Sequence, residues 1–290
     1  MINTNKTHLN MVIGYPLIHT QSPVLHNTIY HEMHIDATLL AFSNKDIKSL
    51  IQAIKTLSIG LTAVTMPFKE QILEHLDCYS PEITTLKSVN TIIQRENKLY
   101  GYNTDVDGIR YALRGIPLSN KKVLLLGAGG AARAVAYFMK ENNAQLLWLN
   151  RTRKNAENRA NEFGGEVIQK NEVDRVSVDI IVNTTPLGMY PHFNCSPLPG
   201  YQFNSEQIVF DLIYNPIHTA LLKQAKMHNA TILSGLDMFI GQGIRQIELW
   251  TNKTIFSENL MQKIKDDLIK NQLNHRSEQY EVSQNELHDH

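Results

Sequence analysis

At 290 residues, with 42% hydrophobic side chains, 15 glycines and 10 prolines, the chain carries enough apolar material for two packed domains, which excludes fibrous and disordered classes. Lys and Arg balance Asp and Glu at 28 each, so no global field draws it to nucleic acid or to an anionic membrane, and a small-molecule partner fits better. The opening Met1–Lys6 lacks the apolar core of a signal peptide and no run of about eighteen apolar residues follows, so a cytoplasmic protein is expected.

Strand-like runs at Met11–Gly14, Ala37–Phe42 and Gly60–Val64 alternate with helical patterns over Pro23–His34 and Asn44–Leu57. That alternation predicts an α/β domain with a largely parallel sheet. His31-Glu-Met-His34 places two imidazoles on one helical face, but lacks the H-E-x-x-H spacing and a third ligand, so no metal site is expected. Cys78 and Cys195 belong to no C-x-x-C pair and read as packing residues, not as a disulfide or metal framework. Asn90–Gln94 and Lys98–Tyr102 form a two-stranded excursion around Arg95-Glu-Asn97, and Asp105–Leu113 leads as a helix out of the first domain. The first domain is placed at 1–105, joined by C-terminal helices at about 240–272, and the second at 106–239.

Lys122-Val-Leu-Leu-Leu-Gly127-Ala128-Gly129-Gly130-Ala131-Ala132-Arg133 is the most informative stretch, because an apolar strand runs straight into a glycine-rich turn that opens a helix. Gly127 makes the tight turn without a Cβ clash, Gly129 lets the backbone approach a pyrophosphate, and Ala132 is small enough for the helix to pack on the strand. The helix N-terminus then offers free N–H donors to the anion. A helix over Ala131–Asn142 and a strand at Gln145–Leu149 complete a β-α-β unit. At the end of that second strand an NAD-binding protein usually carries an acid, whereas this chain reads Asn150-Arg151-Thr152-Arg153-Lys154. A carboxylate there repels a 2′-phosphate and Arg151 can bind one, so the expected cofactor is NADP. Further strands at Asp179–Asn183, Ile208–Leu212 and Thr231–Leu233 complete a doubly wound Rossmann unit, helices from Leu236 onward close the fold, and the polar tail 275–290 is expected to be poorly ordered.

Several polar segments each sit where a strand ends: Ile13–Pro16, His19–Pro23, Val64–Lys69, Val89–Thr91 and Gly101–Asp105. In an open parallel sheet such ends line the ligand crevice, so hydroxyls, an amide, an ammonium and a carboxylate are expected to converge on a small polyhydroxylated carboxylate. These segments resemble the shikimate dehydrogenase family, as do the glycine turn, Asn150–Thr152, Asn183–Gly188, Asp211–Pro216 and Gly235–Gln242. The likeness runs through almost the whole chain. It implies two α/β lobes with a cleft between them and reversible, NADP-dependent reduction of 3-dehydroshikimate to shikimate. By matching position it implies Lys69 and Asp105 as the catalytic pair, Thr20 and Ser22 as carboxylate-binding hydroxyls, and Thr65, Asn90, Tyr214 and Gln242 as substrate contacts. On the nucleotide side it implies Gly127, Ala128, Gly129, Gly130, Ala131, Asn150, Arg151, Thr152, Arg153, Thr184, Ile213 and Gly235. Monomers and homodimers both occur in the family.

Taken singly, these positions also have structural readings: Ser22 before Pro23 is a good helix N-cap, and Asp105 can cap the helix it begins. Thr20 stands where the family commonly has serine, Ala63 where asparagine is frequent, and Asn155 where a second arginine often reaches the adenosine phosphate. A quinate/shikimate dehydrogenase, a non-catalytic nucleotide sensor and a folate-linked dehydrogenase are the competing readings, and only the first of them has use for both Lys69 and Asp105 together with these N-terminal segments.

Overall fold

The computed structural model describes residues 4–18, 20–190 and 192–270. His19 and the tail over 275–290 lie outside the described residues. In the first part of the chain, β1 (His8–Gly14), α1 (Ser22–Glu32), β2 (Ala37–Ser43), α2 (Ile47–Thr56), β3 (Leu61–Val64) and α3 (Phe68–Gln71) alternate. They are followed by β4 (Cys78–Tyr79), α4 (Ile83–Leu86), β5 (Thr91–Arg95), β6 (Lys98–Tyr102) and α5 (Asp105–Ala112). Their strands form one six-stranded sheet in the order β2-β1-β3-β5-β6-β4.

Periodicity explains these helices. In α2, Leu50, Ile51 and Ile54 are buried at helical spacing, and Asp46 caps the start by accepting the Lys48 N–H. β1 runs parallel to both β2 and β3, as expected. The sheet is nonetheless mixed, because β5 pairs antiparallel with both β3 and β6. The cause is local: only Glu96 and Asn97 join β5 to β6, both with positive φ (50° and 61°), and a two-residue turn of that kind reverses the strand beside itself. The excursion read from the sequence is therefore part of the main sheet.

The second part contains β7 (Lys122–Leu126), α6 (Gly130–Glu141), β8 (Gln145–Leu149), α7 (Arg153–Phe163), β9 (Glu166–Val167) and β10 (Ile180–Asn183). It continues through β11 (Ile208–Asp211), α8 (Ala220–Met227), β12 (Thr231–Ser234) and α9 (Leu236–Thr251), with α10 over 258–270. Its sheet has the order β12-β11-β10-β7-β8-β9, with every pairing parallel. The order reverses beside β7, the strand that feeds the glycine turn, which is where an open parallel sheet leaves a ligand crevice. One apolar core runs unbroken from Met11 and Ile13 of the first sheet, through Val106, Ile109 and Leu113, to Val123, Leu125 and Trp148 of the second. A second core packs α1, α9 and α10 on the first sheet, and a third packs α8 on the second.

Two details differ from the sequence reading. Cys78 and Cys195 are exposed and not packing residues: β4 is a two-residue edge strand whose residues face solvent, and Cys195 lies in the loop between β10 and β11. α1 stops at Glu32 and His34 takes a left-handed conformation (φ 52°), so His31 and His34 do not share a helical face. Among the described residues no group of His, Cys, Asp and Glu is arranged to hold a metal ion, and no helix is long and apolar enough to cross a membrane.

Candidate active site

The ends of β1, β3 and β11 open onto a cleft of about 190 Å³, lined by Thr20, Ser22, Thr65, Lys69, Asn90, Asp105, Tyr214 and Gln242. Every side chain expected on the substrate side thus reaches one cavity, although the residues span α1, α3, α5, α9 and the loops between them.

Lys69 rides on the single turn of α3, anchored by buried Phe68 and by its own carbonyl, which accepts the Val89 N–H at 2.8 Å. Its Nζ lies 2.5 Å from Oδ2 of Asp105, the first residue of α5. The other carboxylate oxygen, Oδ1, accepts from Asn90 Nδ2 at 2.8 Å. Asn90 is in turn held by its Oδ1, which accepts from the Thr104 N–H and the Thr91 hydroxyl, each at 2.8 Å. Both oxygens of Asp105 are therefore engaged, and the carboxylate is fixed in rotation. The side chains of Lys69 and Asp105 are 20% and 7% exposed, so the pair faces the cleft from a largely dry wall.

Ser22 does not cap its helix. Gln21 is the N-cap, without a side-chain cap bond, and Ser22 is the first helical residue, followed by Pro23. Ser22 lines the cleft at the N-terminal end of α1, where the helix dipole favours an anion. Thr20 Oγ1 accepts the Ser22 N–H at 3.4 Å. Tyr214 stacks on Phe239 with ring centroids 4.0 Å apart, and burial pushes its hydroxyl up to about 12, so the phenol stays neutral. Gln242 donates to the Phe239 carbonyl at 2.9 Å and keeps its Oε1 within 3.4 Å of Asn90 Nδ2.

On the nucleotide side, Gly127 has φ +111°, and a Cβ there stands 2.5 Å from Thr184 Oγ1, so both conformation and space require glycine. Thr184 itself is held by a hydroxyl bond to the Leu126 carbonyl at 2.8 Å. Gly129 is the N-cap of α6, and a Cβ at Gly129 meets nothing within 4 Å, which leaves the approach to the helix amides open. Gly130 and Ala131 form the first turn, with Ala131 reaching the cleft, and the Ala128 carbonyl accepts from Arg159 Nε at 3.1 Å. A Cβ at Gly235 meets the Leu212 carbonyl at 2.0 Å, and the Gly235 N–H is bonded to the Ile213 carbonyl at 3.1 Å, so this turn packs backbone on backbone beside the cleft. Asn150 Nδ2 donates to the Thr152 carbonyl at 2.9 Å and shapes the basic turn, from which Arg151 and Thr152 project into solvent. Arg153 is also exposed but leans on Glu157 at 2.8 Å. This donor set fits a dinucleotide with a 2′-phosphate: a glycine turn open to phosphates, a free helix N-terminus and an unpaired-by-acid Arg151 turn.

Sequence reasoning missed Gln246, Met238 and Phe239, all of which line the cleft, and His26 behind it. The spacing held a signal for two of them: Gln246 follows Gln242 and His26 follows Ser22 by one helical turn, on the same face.

Fold and site together define a dinucleotide-dependent α/β oxidoreductase with a separate substrate sheet. Residues 12–92 match the family model for the shikimate dehydrogenase substrate binding domain, residues 111–187 that for shikimate / quinate 5-dehydrogenase, and residues 235–255 that for the shikimate 5′-dehydrogenase C-terminal domain. The shikimate dehydrogenase (NADP(+)) of Carboxydothermus hydrogenoformans is 36% identical over 258 residues, covering 85% of this chain and 92% of that protein. A shikimate dehydrogenase crystallised with NADP+ superposes with a TM-score of 0.87 at 33% identity, covering 93% of this chain and 97% of its own. The Thermus thermophilus enzyme, crystallised with NADP(H) and shikimate, does so with a TM-score of 0.81 at 32% identity, covering 90% and 99%. The chain belongs to the shikimate dehydrogenase family.

Proposed function

We propose that the protein is an NADP-dependent shikimate dehydrogenase that interconverts 3-dehydroshikimate and shikimate, using Lys69 and Asp105 as its catalytic pair. The observation that carries this reading is the convergence of Lys69, doubly held Asp105, and the hydroxyls of Thr20 and Ser22 on one cleft that also meets the glycine turn through Ala131. Residues 1–105 with the C-terminal helices form the substrate lobe in this reading, and 106–239 the nucleotide lobe. The protein acts in the cytoplasm, as a monomer or homodimer, on a small molecule, with neither nucleic acid nor membrane as partner.

Each residue has a physical task. The hydroxyls of Thr20 and Ser22, at the positive end of the α1 dipole, take the substrate carboxylate, which sets the ring's orientation. Thr65, Asn90, Tyr214 and Gln242 surround the ring. When bound along Gly127–Ala131, Asn150–Arg153, Thr184, Ile213 and Gly235, the nicotinamide cofactor supplies or accepts the hydride. The Lys69 ammonium gives its proton to the carbonyl oxygen as that oxygen gains charge, and takes it back in the reverse direction. Asp105 holds Lys69 in place through Oδ2 and accepts a hydrogen bond from a neighbouring substrate hydroxyl, while Asn90 keeps the carboxylate from rotating.

The test is initial-rate reduction of NADP and of NAD by the purified protein, with shikimate and with quinate. Activity confined to shikimate and NADP is expected; activity with quinate or NAD moves the protein to the broader-specificity branch, and no activity with any pair overturns the reading. Lys69→Ala is expected to lose about 10²–10⁴-fold in turnover while still binding NADP, and normal turnover removes Lys69 from the mechanism. Arg151→Ala is expected to weaken NADP about tenfold to a hundredfold and leave NAD unchanged, because only the former carries the 2′-phosphate that the guanidinium meets. An equal loss with both assigns Arg151 to the fold or the adenine.

A further inference from the structure

Behind the catalytic pair lies a second set of polar groups that the chemistry above does not use. Gln246 on α9 is 1% exposed, and its Nε2 donates to the Asn90 carbonyl at 3.1 Å and to Thr91 Oγ1 at 2.9 Å. Thr91 spends its one hydroxyl proton on Asn90 Oδ1, so it can only accept from Gln246. Two acceptors on that side set the direction of the Gln246 amide, and its Oε1 is left facing Nε2 of His26, 2.9 Å away. His26 is fully buried on α1, and its Nδ1 lies 2.9 Å from the carbonyl of Ser22, the first residue of that helix. A neutral His26 carries a single N–H, and with that proton on Nε2 the bonds form one line that ends at the proton-transfer groups: His26, Gln246, Thr91, Asn90, Asp105, Lys69.

Along this line, Gln246 ties α9 to both the main chain of Asn90 and the side chain that sets the Asn90 amide. Asn90 is the residue that fixes Oδ1 of Asp105, and a carboxylate rotated away from Lys69 and from the substrate hydroxyl no longer holds the reacting groups in line. Buried donors and acceptors in such a chain polarise one another, and removing one link leaves its neighbours free to turn. Gln246 also lines the cleft wall, so its displacement is felt where the ring sits. We infer that Gln246, braced by His26, is a positioning residue that sets the orientation of Asn90 and thereby of the Asp105 carboxylate. This rests on the function proposed above and adds two residues to it.

The experiment is Gln246→Met, which keeps length and volume but removes every polar contact, assayed with shikimate and NADP beside the parent protein and corrected for active-site content by NADP titration. The expected result is a kcat lowered about tenfold to a hundredfold, with KM for shikimate and Kd for NADP within about twofold, and a larger primary isotope effect with substrate deuterated at the reacting carbon. In an Asn90→Ala background the same substitution is expected to change kcat by less than about twofold, since the residue through which it acts is gone. His26→Asn, whose shorter amide loses the contact with Gln246 Oε1, is the second variant, and a severalfold loss in kcat is expected. An unchanged kcat per active site in both single variants, or full multiplicative losses in the Asn90→Ala background, overturns the inference and leaves Gln246 a packing residue. A parent protein that does not turn over shikimate with NADP overturns the proposed function itself, which is a different result from an active parent with indifferent variants.

Discussion

Two buried titratable residues carry opposite pH signatures. Asp211 accepts from the Thr219 hydroxyl at 2.7 Å, Asn183 Nδ2 at 2.9 Å and the Ile213 N–H at 3.1 Å, yet burial outweighs these bonds and pushes its carboxyl up to about 6. Because the folded value lies above the unfolded one, stability is greatest below about 4 and falls as pH rises to about 6. His26 is the reverse case. Burial holds its ring down to about 4, so its contribution is complete above about 6.5 and is lost as pH falls through 4. Each shift corresponds to about 3 kcal/mol, and over the window between 4 and 6 the two slopes offset one another. The expected outcome of urea unfolding between pH 4 and 7 is therefore a nearly flat contribution from this pair in the parent, a stability that rises with pH in Asp211→Asn, and one that falls with pH in His26→Asn. Parallel curves for all three proteins contradict this.

At the scale of elements, the packing of α5 on α9 brings Asp105, Gln242 and Gln246 to one cleft. A Cβ on Gly108 stands 2.4 Å from the Met238 carbonyl and 3.2 Å from Gln242 Cβ, so the two helices touch backbone to side chain at that point. Gly108→Ala is expected to push α5 away from α9 and to lower stability by about 1–3 kcal/mol, the usual range for overpacking, although alanine is the better helix former. Since Asp105 lies on the first turn of the same helix, turnover falls with it. Denaturant titration and initial rates on one preparation check both effects. The hairpin of β5 and β6 shows the same dependence of site on element: its two-residue turn returns the chain so that Asn90 precedes β5 and Asn103 to Asp105 follow β6, side by side.

For the whole molecule, the continuous core from Met11 to Phe210 makes the two sheets share buried surface through α5 and α6. Separate unfolding would expose that shared face in both halves at once, so one cooperative transition is expected. Trp148, on β8 of the second sheet, packs in the shared core, and Trp250 meets His8 and Tyr30 against the first. Single-tryptophan variants, Trp148→Phe and Trp250→Phe, are expected to melt at coincident midpoints, and NADP at about a hundred times its Kd adds about 2.7 kcal/mol to both. Midpoints that separate, with NADP moving only the Trp148 signal, mean that the sheets unfold independently.

What was legible in the sequence is what depends on neighbouring residues. A strand followed by Gly127-Ala-Gly129 declares its turn, Leu50, Ile51 and Ile54 declare the buried face of α2, and the absence of an acid at Asn150–Lys154 declares a basic turn, because turn chemistry and periodicity are properties of contiguous chain. The polar strand ends could be named one by one for the same reason. Their arrangement could not. Lys69 meets Asp105 across 36 positions, and His26 meets Gln246 across 220, only because the first sheet, α1 and α9 pack together. The solvent exposure of Cys78, the insertion of β5 and β6 beside β3, and Gln21 in place of Ser22 at the cap of α1 were likewise settled in three dimensions. Burial and hydrogen-bond partners are set by which elements cover one another, and that is decided by the sum of many weak long-range contacts that no local stretch of sequence contains.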